Sequence, residues 1–140
     1  MSVSEHPGLS LFFKVTLEVV DLGYWTKVSG LGMTIATDDR GDSAMTFFQH
    51  HLPGHMTYEK LTLERPVSSD TATVMNWLSA YHMLPVPTTG EVACVDQTRG
   101  TLMSWEIFGV TPVSWRGPTL DANATNIATE VLTLAHMGFM

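Results

Sequence analysis

The chain is 140 residues long, enough for one domain that buries roughly 70% of the surface its unfolded form exposes. Seven Lys and Arg against fourteen Asp and Glu give a formal charge of −7, which argues against a phosphate backbone as the main ligand. Charged residues make up only 15%, against about 25% in a typical soluble domain; either contacts cover part of the surface, or it is a neutral, threonine-rich strand surface.

Residues 1–11 carry Glu5, His6, Pro7 and Gly8 without a basic start, so no signal peptide is expected. No apolar run approaches the ~20 residues of a bilayer-crossing helix, so no membrane anchor is expected. From Phe13 to Val19 apolar residues alternate with Lys14, Thr16 and Glu18, the period of two of a strand with one drier face. Asp21-Leu22-Gly23 reads as a turn, and residues 24–29 as a second strand ended by Ser29-Gly30-Leu31-Gly32. Residues 33–37 are extended. Asp38-Asp39-Arg40-Gly41-Asp42 opens a long loop that runs to Met56 with a short strand at 45–48, and long loops in compact domains usually have a task. Met56, Tyr58 and residues 61–64 form the next strand, with Leu61 and Leu63 on one face.

Ser69 or Asp70 can cap a helix in which Val74, Trp77, Leu78 and Tyr81 fall at i, i+3, i+4 and i+7, a single stripe that packs on a sheet. Leu84-Pro85-Val86-Pro87 ends it. Residues 91–95 and 102–108 pair as a hairpin across the turn at 96–100. Pro112 and Trp115-Arg116-Gly117-Pro118 are expected to interrupt the following strand. The last strand, 126–135, has apolar residues at both parities and is expected to be covered on both sides. Many strands with one helix, and no repeat or linker, predict a single mainly β domain over 1–140: a sandwich or barrel flanked by that helix. Its wet strand faces suit either a monomer or a larger ring sharing a barrel around a water-filled bore.

Catalytic signatures are absent. His50, His51 and His55 are the nearest thing to a metal set, and the rival they support is a small β-barrel enzyme or ligand carrier using a bound metal; Pro53-Gly54 breaks the helix that metal-binding histidine spacing needs, and no Cys or carboxylate completes the set. Asp38, Asp39 and Asp42 lack the ligand alternation of a calcium loop. Cys94, the only cysteine, reads as a small core residue. No cofactor, metal or enzymatic activity is expected. The four tryptophans, Trp25, Trp77, Trp105 and Trp115, are expected in the core or at interfaces.

The order of short motifs resembles the inner tube proteins of contractile phage tails and related injection systems. It comprises Phe13-Lys14-Val15, Val28-Ser29-Gly30-Leu31, Leu52-Pro53-Gly54, the run from Tyr58 through Leu61-Thr62-Leu63-Glu64-Arg65, and Trp77. Gly100 with Trp105, Pro112 with Trp115-Arg116-Gly117-Pro118, Ile127-Ala128-Thr129-Glu130, Leu134-Ala135-His136 and Gly138-Phe139 complete it. Met137 and the partial arginine-glycine turn at 38–42 depart from the pattern. The resemblance implies a β-sandwich or split-barrel subunit with an outer helix, six copies of which close a hexameric ring with a shared β-barrel. Rings would stack into a tube within a contractile sheath, with baseplate, spike and tube-initiator proteins as further partners and effector cargo or DNA in the lumen. It implies assembly in the cytoplasm into a virion or phage-tail-like particle, released or retained, and a ring-stacking role for the loop bearing Asp39, Arg40, Asp42, His50, His51 and His55. Lys14, Thr16 and Glu18 are the expected bore-facing positions. A type VI secretion ring protein and a tube-initiator paralogue are rival readings within the same architecture.

Overall fold

The computed structural model describes residues 11–36, 56–123 and 128–140. In chain order the strands are β1 (Phe12–Leu17), β2 (Asp21–Trp25), β3 (Lys27–Ser29), β4 (Met33–Ile35), β5 (Met56–Tyr58) and β6 (Leu61–Pro66). Helix α1 (Thr71–Met83) follows, then β7 (Thr88–Val95), β8 (Thr101–Arg116), β9 (Thr129–Ala135) and β10 (Gly138–Phe139). The main sheet runs β2-β1-β7-β8-β9-β6-β3, with β10 against β8, and every pairing is antiparallel. Its first and last members are consecutive in the chain, separated by Thr26 alone, so the sheet folds back on itself. Two corners make that possible. At one, Thr26 hands the chain from β1's partner to β6's partner, and its amide donates to the Glu64 carbonyl at 3.0 Å. At the other, β8 pairs with β7 over residues 101–110 and with β9 over 111–116, and Gly109 between them adopts φ +62, a left-handed angle natural to glycine.

The core lies between the two halves. Val15, Leu22, Trp25, Leu61, Leu63, Val92, Ile107, Val110, Leu132 and Leu134 are fully buried, and α1 adds Val74 and Trp77 to the same cluster. Burial alternates along β6, where Leu61 and Leu63 face inward as their spacing predicts. A mainly β sandwich or split barrel with a flanking helix is therefore the observed fold class.

Several boundaries move. Strand β1 stops at Leu17, because Leu17 and Val20 exchange backbone hydrogen bonds in a tight turn that leaves Val19 69% exposed. Asp21-Leu22-Gly23 belongs to β2 rather than to a turn. The single strand predicted over 24–29 splits at Thr26 because its halves join different partners. Strand β8 runs uninterrupted through Pro112, the irregularity being absorbed as a register shift between Pro112 and Ser114. In β9 the buried face carries Glu130, Leu132 and Leu134 while Val131 is half-buried, so the two faces are not equally covered. Cys94 is half-exposed, unlike its buried neighbours Val92 and Val95. Asp70 occupies the N-cap position of α1 without a side-chain cap bond, and the helix ends as expected, with Leu84 extended before Pro85. The strand predicted at 45–48 lies outside the described residues.

Candidate assembly surfaces

Three of the motif segments converge on one buried node. Arg65, at the end of β6, and Glu130, in β9, form an ion pair at 2.9 Å with both side chains buried. Thr71 donates to the same Glu130 oxygen, and the Trp115 indole N–H donates to the other at 2.9 Å. Burial pushes the Glu130 carboxyl up; the donors Thr71, Trp115 and Arg65, together with the Arg65 charge, outweigh it and hold the group below its ordinary value of 4.5. The remaining Arg65 donors reach the carbonyls of Leu22 at 2.7 Å, Tyr24 at 3.3 Å and Asp70 at 3.2 Å. Its guanidinium lies 3.8 Å from the centroid of the Trp25 ring. Leu22 and Tyr24 are alternate residues of β2, so these two carbonyls belong to the edge facing away from β1. Arg65 thus closes an edge of the sheet and ties it to the start of α1.

The other edges differ in protection. Strand β3 is three residues long and carries exposed Lys27. The 111–116 half of β8 carries Pro112 and, in its pairing with β9, a register shift. Short length, Lys, Pro and bulges are the usual means of blunting an edge. Residues 101–105 of β8 contain neither Lys nor Pro, and their one register shift, between Thr101 and Met103, lies in the pairing with β7. They pair with β7 on one side, and on the other no described strand adds to them, because β10 reaches only Ile107 and Phe108. The Glu106 amide and carbonyl bond Met140, so by strand alternation those of Ser104 point to the same open side. Leu102 and Met103 there are 54% and 56% exposed.

A separate two-stranded ribbon, β4 with β5, brackets residues 37–55. Met33, Ile35 and Met56 on it are exposed, and a ribbon of this size is marginal without something packed on it. At its foot, Gly30 adopts φ +96 where a Cβ would overlap the Lys60 carbonyl, which accounts for the glycine in Val28-Ser29-Gly30-Leu31. Asp39, Arg40, Asp42, His50, His51 and His55 all lie outside the described residues. Among the described residues no group of His, Cys, Asp and Glu could hold a metal ion.

Lys14 and Thr16 lie on the outer face of β1. Lys14 sits 3.6 Å from Asp21 and 5.6 Å from the centroid of the Tyr24 ring, which Arg99 also covers at 4.4 Å. Register places Thr16 beside Glu91 and Glu91 beside Glu106, so one row of this face reads Asp21, Thr16, Glu91, Glu106. Directly opposed like charges cost stability unless function retains them. Glu18 lies past the strand end, where its amide donates to Thr89. On α1, Val74 and Trp77 are buried and Leu78 packs against the core, while Tyr81 lines a groove of about 770 Å³ between the helix and the β1–β2 turn. The node and the open edge carry no periodic signal and were not singled out as sites; the presence of Arg65, Trp115 and Glu130 within the motif segments was the available clue.

The antiparallel sheet is closed by two corners and flanked by one helix, and this arrangement can be compared with known folds. The chain belongs to the T4-like virus tail tube protein gp19 family, whose model matches residues 9–140. Among solved structures it is similar to a chain of the extended sheath–tube complex of an extracellular contractile injection system, PVC, at 20% identity and a TM-score of 0.74, covering 100% of this chain and 97% of that one. The same identity and coverage, with a TM-score of 0.72, hold for a chain in the structure of the anti-feeding prophage cap, a tube-terminating cap. Hcp1 from Flavobacterium johnsoniae is similar at 16% identity and a TM-score of 0.57, covering 89% of each chain. At these identities the likenesses are of fold. No curated protein sequence matches the chain.

Proposed function

We propose that this tail tube protein is the inner-tube subunit of a contractile injection system or phage tail. In this reading the whole chain acts as one structural domain, without catalysis. Six copies close a ring, and rings stack into a tube inside a sheath that meets a baseplate and spike at one end. Effector cargo or DNA passes through the lumen of a virion or phage-tail-like particle. Family membership supplies the class, and the observation that carries the assembly is the open edge at 101–105. A sheet edge with exposed Leu102 and Met103 and neither Lys nor Pro to guard it is a hazard in a monomer and an adhesive in a ring. Pairing between copies would extend the β2-β1-β7-β8 layer around a bore, with Lys14, Thr16, Glu91 and Glu106 facing it and Glu18 at its rim. Ring-forming type VI secretion proteins share the fold, but the likeness to Hcp1 is the weaker one. Negative-stain electron microscopy of the concentrated, purified protein tests the proposal: rings or hollow rods are expected, and a monodisperse monomer at every concentration overturns it.

A further inference from the structure

His136 follows β9 directly, and both of its ring nitrogens are engaged. The Gly138 amide donates to Nδ1 at 3.2 Å, so Nδ1 carries no proton. Nε2 lies 2.9 Å from the Glu59 carbonyl oxygen, which can only accept, so Nε2 bears the hydrogen. The contacts therefore select one tautomer of the neutral imidazole. Its ring packs with Tyr58 at 5.7 Å and Phe139 at 5.9 Å, and those two meet edge to face at 5.5 Å. Tyr58 is the last residue of β5, and Phe139 belongs to β10. Gly138 is buried at φ +151, with the Tyr58 ring 3.3 Å from the place a Cβ would occupy, so this turn has little room to rearrange.

We propose that His136 is a proton-operated latch: neutral, it fastens β10 to the foot of the β4–β5 ribbon, and charged, it releases both. A proton added at Nδ1 sets an N–H against the Gly138 N–H, so a hydrogen bond becomes a donor–donor contact. The ring then also carries charge between two aromatic side chains. The ionisable groups on the surrounding elements are Tyr58 on β5, Glu59 and Lys60 in the turn after it, and Glu106 on β8, which bonds Met140 through its backbone. Among the described residues the ion pairs are Lys14–Asp21, Lys27–Glu64 and Arg65–Glu130, so no carboxylate there compensates a charged imidazole. The latch holds while the ring is neutral and is lost once the ring takes up a proton. If residues 37–55 contact a neighbouring ring, as the family resemblance implies, tube stability inherits this dependence.

Hydrogen–deuterium exchange with mass spectrometry, corrected for intrinsic rates, measures the latch on the chain's own amides whether or not rings form. Between about pH 7.5 and about pH 5, exchange in the peptides spanning 56–61 and 137–140 is expected to rise roughly tenfold, the effect of one lost hydrogen bond, while the core around Val92 is unchanged. His136→Asn keeps an acceptor for Gly138 at any pH, and His136→Phe keeps the aromatic contact without one. Both are expected to lose the pH step, and the Asn variant decides the matter should the Phe variant fold poorly. No step in the wild-type protein, or a step that persists in His136→Asn, overturns the latch. Failure to form rings at either pH overturns the proposed function and leaves this measurement standing.

Discussion

Arg65 directs its donors to four places at once: a buried carboxylate, two carbonyls of an otherwise open strand edge and the first turn of the helix. Arg65→Met would leave Glu130 charged and fully buried with only neutral donors, and breaking a buried pair from one side costs about 3–5 kcal/mol. Urea unfolding is expected to show that loss, and Arg65→Met with Glu130→Gln to recover much of it, since an uncompensated charge is the larger part of the penalty. The same node sets an acid response. Because the folded carboxyl is held below its unfolded value, its contribution is complete above about pH 4.5 and fades as the pH falls through the folded value. Unfolding midpoints measured from about pH 6 down to about pH 2 should therefore fall less steeply in Glu130→Gln than in the wild-type protein. In the sequence, Arg65 and Glu130 stand 65 positions apart, at the end of one apolar alternation and inside another. Nothing local joins them, although both fall within segments by which the resemblance was recognised.

Strand β8 is two edges in one element. Its second half carries Pro112 and a register shift against β9, while its first half, with a shift against β7, offers the outward amide and carbonyl of Ser104. Ser104→Pro removes one outward donor and leaves the Trp105 pairing with Val92 in place, since proline is tolerated on an edge. The variant is expected to remain folded by circular dichroism and to form no rings in electron micrographs. Rings at wild-type abundance would show that copies meet elsewhere. The hairpin formed by β7 and β8 was legible because apolar alternation flanks a Gly100-bearing turn, in which Asp96 accepts bonds from Thr98 and Gly100. The continuity of β8 through Pro112 was not, because proline removes a donor only where a partner strand needs it, and partnering is a tertiary fact.

At the scale of the whole molecule, the outer face of the β1, β7 and β8 layer carries the row Asp21, Thr16, Glu91 and Glu106, and the net charge is −7. A bore lined this way would repel bound phosphate, which suits passage rather than retention. We propose, from the family resemblance, that residues 38–55 take part in ring stacking. An Arg40→Ala and His51→Ala double variant is accordingly expected to keep its fold and to give shorter tubes in electron micrographs; unchanged tube length rejects that role.

Composition, alternation and motif order together determined the mainly β class, the helix over residues 71–83, most strand positions and the family, since each rests on the local period of burial or on short runs of residue types. Where the sheet turns its corners, which edge Arg65 closes, which edge stays open and how His136 is engaged were decided only in three dimensions. Those features depend on register between segments distant in the chain, and register is set by packing of the completed core rather than by any one segment's own pattern.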